Sequence, residues 1–332
     1  MEYDQKILII RFSSIGDIVL STSPLRTIRI AYPEAQITFL TLETFAPLLE
    51  YHPDIDILLS INPKSTLREL WNFADYLQEK KYKIIFDLHN SIRSNILLFR
   101  ISAKFYQIKK PRMKRLMLFL FHRNEFASDF SILTMYHDTF GHLLNDHSKL
   151  PHTKLIVSNH EIKEAQKMLL EKGIFNDFVT IIPGAAWPQK QWPAENYIET
   201  LKKINMPVVL LGSEHDRICF DISSKLDNVV NLAGKTSLRQ ALAIMANAQF
   251  IIGSDTGLVH AAEALGKHVN MILGPTSSET GGGVNLLGSN QIQKEVWCRP
   301  CSQNGKLPCY RKSQVCLESI TPKDVINSLV KC

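Results

Sequence analysis

Short runs with no polar side punctuate this chain. Ile7-Leu8-Ile9-Ile10 is the first of them, and Phe178–Pro183 and Phe250–Ser254 are of the same kind. A strand with one wet face alternates apolar and polar residues, so a run apolar at every position belongs between two covering layers, as in a parallel sheet. Parallel neighbours need long crossovers, and segments of helical period stand between the runs. The expected strands are Lys6–Phe12, Ala35–Leu42, Lys83–His89 and Lys104–Ile108 in the first half. In the second half they are Phe178–Pro183, Pro207–Gly212, Val229–Ala233, Phe250–Ser254 and His268–Leu273. This alternation specifies the α/β class. At roughly 150 residues per domain, the length predicts two, divided in the polar stretch Asn145–Thr153: residues 1–150 and residues 151–332.

Three helices are well marked. Ser237 with Gln240 forms a capping box ahead of Leu238, Ala241, Leu242 and Met245. A second helix starts near Thr256, carries Leu258, Ala261, Ala262 and Leu265 on one stripe, and stops at Gly266. The third opens at Thr321-Pro322-Lys323-Asp324 and places Val325, Ile326, Leu329 and Val330 inward.

Charge is concentrated rather than spread. Lys and Arg exceed Asp and Glu by 38 to 32, yet between Leu88 and Asn124 there are nine Lys or Arg and no acid. The cluster at 109–115 runs into Leu116–Phe121, at six residues the longest clean apolar run. A bilayer span needs about 20, so no transmembrane segment is expected. The opening MEYDQK is not a signal peptide's, and a cytoplasmic protein is expected. Basic residues beside Leu, Met and Phe suit contact with an anionic membrane surface; the alternative is a solvated basic loop beside a core helix. No nucleic-acid module accompanies the basic run, so no nucleic-acid partner is expected.

The ends of the expected strands carry the candidate chemistry, because α/β proteins bind ligands there. After the first strand, R-F-S-S-I-G-D has only Gly16 where a dinucleotide fold needs G-x-G-x-x-G, which argues against hydride transfer. Asp17 in that turn is either a helix cap or a general base. In the second half, Asp255-Thr256-Gly257 opens a helix whose free N–H groups suit phosphate, and His260 lies off that helix's apolar stripe. Gly274-Pro275-Thr276 and Gly281-Gly282-Gly283 could wrap an anion.

The opening I-L-I-I-R-F-S-S-I-G-D, the K-Q-W-P segment and G-S-D-T-G-L-V-H-A-A-E-A-L-G followed by G-P-T resemble glycosyltransferase family 9, the ADP-heptose:lipopolysaccharide heptosyltransferases. The resemblance runs from Ile7 to the last helix and is loosest over about 45–150. It implies a GT-B architecture: two Rossmann-like domains with parallel sheets facing a central cleft, acceptor held by the first and nucleotide sugar by the second. The last helix, 321–331, is a candidate to pack back on the first domain.

By the same resemblance, Asp17 falls on the catalytic base and Lys190 on the lysine that meets the donor diphosphate. Asp255, Thr256, Gly257 and His260, with Pro275 and Thr276, fall on the donor site. Asp216 matches the ribose-binding acid, with Glu214 as the alternative. Ala185 and Ala186 stand where hydroxyl side chains often face the phosphates, so contacts there would come from backbone N–H groups. Ser14, Asn90 and Arg93 are the acceptor-side candidates. The implied partners are an ADP-heptose donor and a lipid A/inner-core lipopolysaccharide acceptor at the inner face of the inner membrane, with inversion and with no metal or other cofactor in catalysis.

Cys298, Cys301, Cys309 and Cys316 form C-x2-C-x7-C-x6-C, near structural zinc spacing. A structural zinc or redox-sensitive cluster and four free thiols are the two readings, with Cys219 and Cys332 incidental. The competing functions are a GT-B transferase using another nucleotide sugar, such as an N-acetylhexosamine transferase, and a zinc-ribbon nucleic-acid-binding protein.

Overall fold

The computed structural model describes residues 5–143 and 150–329. Residues 144–149 of the expected junction, Val330 and Cys332 lie outside the described residues. Contacts divide the chain into two units. The first runs to Lys110 and resumes with Ile132–Ile156; the second takes Pro111–Ser131 and everything from Val157 onward.

In the first unit β1 (Lys6–Ile10) leads through α1 (Ile15–Leu20) and α2 (Thr22–Ala31) to β2 (Gln36–Leu42) and β3 (Ile57–Ile61). Then follow α3 (Leu67–Glu79), β4 (Ile84–Asp87), α4 (Ile92–Phe99) and β5 (Lys104–Gln107). After α5 (Arg112–Phe121), which belongs to the second unit, α6 (Ile132–Asp138) returns to the first. The five strands are all parallel in the order β3-β2-β1-β4-β5. Ile7 pairs with Ile37 on one side and Ile84 on the other, so β1 is central and its run is covered on both faces. Leu8, Ile10, Leu40, Ile85 and Leu97 form part of one core layer.

The second unit opens with α7 (Asn159–Leu170), β6 (Val179–Ile182), α8 (Ala194–Leu201), β7 (Val208–Leu210), α9 (Arg217–Ser223) and β8 (Val229–Asn231). It continues with α10 (Leu238–Asn247), β9 (Phe250–Ser254), α11 (Gly257–Ala264), β10 (Val269–Ile272) and β11 (Asn290–Ile292), and ends with α12 (Val315–Glu318) and α13 (Pro322–Leu329). Its sheet is also parallel, ordered β11-β10-β9-β6-β7-β8. Both sheets therefore reverse direction once, between β1 and β4 and between β6 and β9. At such a reversal the loops leave on opposite sides and open a crevice for ligand.

The three marked helices form where the sequence puts them. Ser237 caps α10 by accepting from the Gln240 N–H, and Gly266, at φ +80°, takes the left-handed turn after α11 that a side chain would resist. The last helix packs on α8 and β11 within the second unit, with Val325 in that unit's core. Among the described residues, no helix is long and apolar enough to cross a membrane.

Candidate active site

At the first reversal point, Asp17 sits at the third position of α1 and makes a capping box with Ser14: its Oδ2 accepts from the Ser14 N–H at 3.3 Å and hydroxyl at 3.0 Å. The same carboxylate does more than cap. Arg11 places Nη2 2.8 Å from Oδ2, and the Tyr136 hydroxyl donates to Oδ1 at 3.2 Å. Burial alone would raise the Asp17 pKa, but Arg11, Ser14 and Tyr136 together bring it below the ordinary carboxylate value. Arg11 is itself buried, fixed by donating to the Leu88 carbonyl at 2.6 Å. Asp17 keeps about a third of its side chain exposed (34 %), so it is an ionised carboxylate held rigidly yet open to an incoming hydroxyl.

The adjacent β4 end is organised by Asp87. Fully buried, it accepts from the N–H groups of His89 and Asn90, each at 2.9 Å, and from the Gln107 amide at 2.9 Å. His89 stacks edge-on against Phe12 at 5.2 Å, and burial, with Arg11 and Lys110 nearby, lowers its pKa to about 4. Asn90 turns at φ 47° and spends its amide on the Ile108 carbonyl, while Arg93 donates to the Pro63 carbonyl. Both side chains are thus held in place by the protein itself. Ser14 is exposed beside Asp17.

The second unit builds a denser centre. Ser254, buried at the end of β9, donates to the Pro183 carbonyl at 3.0 Å and so ties the ends of β9 and β6 together. The next residue, Asp255, collects three side chains. Lys190 Nζ lies 2.7 Å from Oδ2, the Thr276 hydroxyl donates to Oδ2 at 2.8 Å, and His260 Nε2 is 3.8 Å from Oδ1. Burial would push the Asp255 pKa up, but Lys190 and His260 hold it far below the usual carboxylate range. Hence the K-Q-W-P lysine, the D-T-G helix and the G-P-T turn, up to 86 residues apart in sequence, meet on one carboxylate. His260 is 8 % exposed, and its Nδ1 is buried without a partner among the described residues.

Local sequence explains the placement. Trp192 is fully buried, donates to the Ile320 carbonyl at 3.0 Å and packs edge-on against Tyr197, which anchors the loop carrying Lys190. Arg299 grips the G-P-T turn by donating to the carbonyls of Gly274 (2.5 Å) and Thr276 (2.8 Å). Thr256 caps α11, leaving Gly257 at its first turn. Asp216 caps α9 and accepts from the Ser213 N–H and hydroxyl; a Cβ on Gly184 would come within 2.3 Å of its carboxyl, so it lies against the β6 end beside Ala185 and Ala186. Glu214 is 76 % exposed. Pro275 joins the two residues that Arg299 holds.

The cysteines do not fit a metal. Among the described residues no three His, Cys, Asp or Glu side chains are grouped as a centre would need. Burial, followed by the neighbouring thiols, raises the thiol pKa of Cys316 to about 11 and also raises that of Cys301. Cys219, Cys298, Cys301, Cys309 and Cys316 are free thiols in this structure.

Residues 70–310 match the family described as glycosyltransferase family 9 (heptosyltransferase). This chain belongs to that family. As a family 9 chain it is a glycosyltransferase. Lipopolysaccharide heptosyltransferase 2 of Salmonella typhimurium is 26 % identical over 300 residues, covering 82 % of this chain and 84 % of its own length. Among solved structures, a family 9 glycosyl transferase from Veillonella parvula aligns with a TM-score of 0.80 at 19 % identity over 99 % of this chain and 98 % of its own. The ADP-heptose lps heptosyltransferase II of E. coli aligns at 0.74 and 24 %, covering 98 % of both chains. The shared architecture is GT-B.

Sequence reading passed over Arg11, Tyr136, Asp87 and Arg299. Arg11 stood inside the opening motif, one residue past β1, and its position there was the available signal. Tyr136 lies 119 residues from Asp17 and carries no local one.

Proposed function

We propose that the protein transfers a heptose from ADP-heptose to the inner core of lipopolysaccharide, with inversion and without a metal ion. The observation that carries this reading is the Lys190–Asp255–Thr276–His260 cluster at the start of α11, beside the β6 end. It is supported by relatives named as lipopolysaccharide heptosyltransferases.

In the second unit the donor diphosphate sits at the N-terminus of α11, where Thr256 and Gly257 offer backbone N–H groups and Lys190 a cation. Asp255 carries negative charge, so its part is to aim Lys190, Thr276 and His260 rather than to touch phosphate. Ala185 and Ala186 contribute backbone N–H groups, and Pro275 shapes the turn. Asp216 meets the ribose. As the glycosidic bond breaks, Lys190 and the helix start stabilise the leaving diphosphate, which is the work a divalent cation does elsewhere.

In the first unit Asp17 is the base. Its low pKa makes it a weak one, suited to accepting the proton late, when the attacking hydroxyl has become acidic by bonding to the sugar carbon. Arg11 and Tyr136 hold it ionised and aimed. Ser14, Asn90 and Arg93 contact the acceptor, which is lipid-anchored, so the enzyme works at the inner face of the inner membrane. The first unit supplies the acceptor domain and the second the donor domain, with the boundary expected near residue 150 shifted by the 111–131 excursion.

The test is a nucleotide thermal-shift panel followed by a transfer assay. ADP should raise the melting temperature more than UDP or GDP at equal concentration; a ligand at 100 times its Kd adds about 2.7 kcal/mol. A larger shift with UDP or GDP overturns the donor assignment. Transfer should proceed unchanged in EDTA; loss restored by magnesium or manganese overturns metal independence.

A further inference from the structure

The ten-residue helix α5 faces the wrong way for a surface in water. Only Leu118 is buried, while Met113, Leu116, Leu120 and Phe121 are 68, 47, 63 and 66 % exposed. Their spacing of three, four and one puts them on one stripe, and that stripe points outward. The helix carries Arg112, Lys114 and Arg115 and no acid.

A distant segment extends this patch. The Trp297 ring, 71 % exposed, lies 6.1 Å from that of His122, the residue that ends α5. The Arg311 guanidinium stands 5.8 Å over the same indole, and Tyr310 beside it is 63 % exposed. Two segments some 175 residues apart in sequence, both in the second unit, thus present apolar side chains, two aromatic rings with polar edges, and cations.

A solvated basic face would account for the cations but not for four exposed large apolar side chains in a row. A groove on another protein would account for the apolar stripe but gives no reason for an acid-free helix. An anionic bilayer accounts for both: guanidinium groups pair with lipid phosphates, the stripe enters the acyl boundary, and Trp and Tyr favour the headgroup level. We infer that α5 and the Trp297–Arg311 patch form a docking surface for an anionic phospholipid bilayer, with α5 lying in the membrane plane. Vesicle binding is read without nucleotide or acceptor, so its outcome is separate from that of the donor assignment.

The full chain is sedimented with vesicles of phosphatidylcholine alone or with 30 % phosphatidylglycerol. Binding should require the anionic lipid and weaken as salt rises, because the Debye length shrinks from about 10 Å at 0.1 M to about 3 Å at 1 M. Each basic residue near the surface contributes about 1 kcal/mol, or about fivefold. Replacing Arg112 and Lys114, the exposed cations of the helix, by Gln should therefore weaken binding about 25-fold. Leu116→Asp with Leu120→Asp, both at exposed positions, should abolish binding while leaving the melting temperature within about 2 °C, because surface changes cost little. Bound protein should show a blue-shifted tryptophan emission that Trp297→Phe removes. Absence of binding, equal binding to neutral vesicles, unaltered binding by the Asp variant, or displacement from vesicles by duplex DNA would each overturn the proposal.

Discussion

Replacing Asp17 by Asn separates its two roles, because Asn is nearly the same shape. Its carbonyl oxygen can take the place of Oδ2 and still accept from Ser14 and Arg11, and its amide can meet the Tyr136 oxygen at the place of Oδ1. What goes is the negative charge. Arg11, whose side chain is 8 % exposed, then keeps its hydrogen bond to the Leu88 carbonyl but loses its counter-charge. A hydrogen bond to a charged group is worth about 1.5–3 kcal/mol. For a unit of this size each kcal/mol moves the melting temperature about 2–4 °C, so a fall of about 3–12 °C is expected. Loss of a positioned base costs about 10²–10⁴ in rate, or about 3–5.5 kcal/mol of barrier. The assay is kcat at saturating donor and acceptor, with a nucleotide thermal shift on the same sample. The shift should persist, since the proposed nucleotide site lies in the second unit, while kcat falls at least 100-fold. Tyr136→Phe removes one hydrogen bond but no charge and should lower kcat tenfold at most. If Asp17→Asn melts lower yet keeps more than a tenth of wild-type turnover, the carboxylate is a cap and an arginine partner, and the base lies elsewhere.

Lys190→Ala should remove most of the ADP-induced shift and also destabilise the free protein by about 3–5 kcal/mol, because Asp255 is left buried without its cation; Lys190→Ala with Asp255→Asn should recover much of that stability but none of the nucleotide shift. Arg299→Ala should weaken ADP binding about tenfold by loosening the G-P-T turn, and unchanged binding would show that the turn holds itself. His52 is buried, accepts the Asp54 N–H through Nδ1 and titrates at about 4 because of burial. A histidine that is harder to protonate folded than unfolded loses stability as pH falls from about 6.5 towards about 4, here by up to about 3 kcal/mol. His52→Asn keeps an acceptor without a proton site and should remove about half of the histidine-driven loss of urea-derived stability over that range, because His89 is held down to about 4 as well; an unchanged slope would assign the acid sensitivity to other groups.

Continuous apolar runs made the central strands readable, since nothing else buries both faces of Ile7–Ile10. The edges were harder. β3 is half-exposed along most of its length and β11 is only Asn-Gln-Ile, so neither shows the run that marks a strand covered on both sides. Asp255, Thr256 and Pro275 were legible as candidates because helix starts and strand ends carry local signals. The use of Asp255 as a hub for Lys190 and Thr276 was not, because it depends on loops that meet only once the sheet has formed. The cysteine spacing did bring Cys298, Cys301, Cys309 and Cys316 into one neighbourhood, but a suitable interval does not by itself set the sulfurs at the distances of a metal centre.

The way the chain passes between its units sets the order in which the protein can mature. Arg11 and Asp17 are six residues apart and can pair as soon as they leave the ribosome. Tyr136 and His137, which complete the clamp on Asp17 and hydrogen-bond the buried Ser23, arrive only after 111–131, a segment that belongs to the other unit. At about 5–20 residues per second, the first sheet, complete at Gln107, waits about 2–6 s for them. During that interval the Ser23 and Thr27 hydroxyls of α2 lack His137, and one carboxylate oxygen of Asp17 lacks Tyr136. Synonymous codons that slow or hasten residues 111–131 would therefore change the yield of active enzyme without changing its sequence.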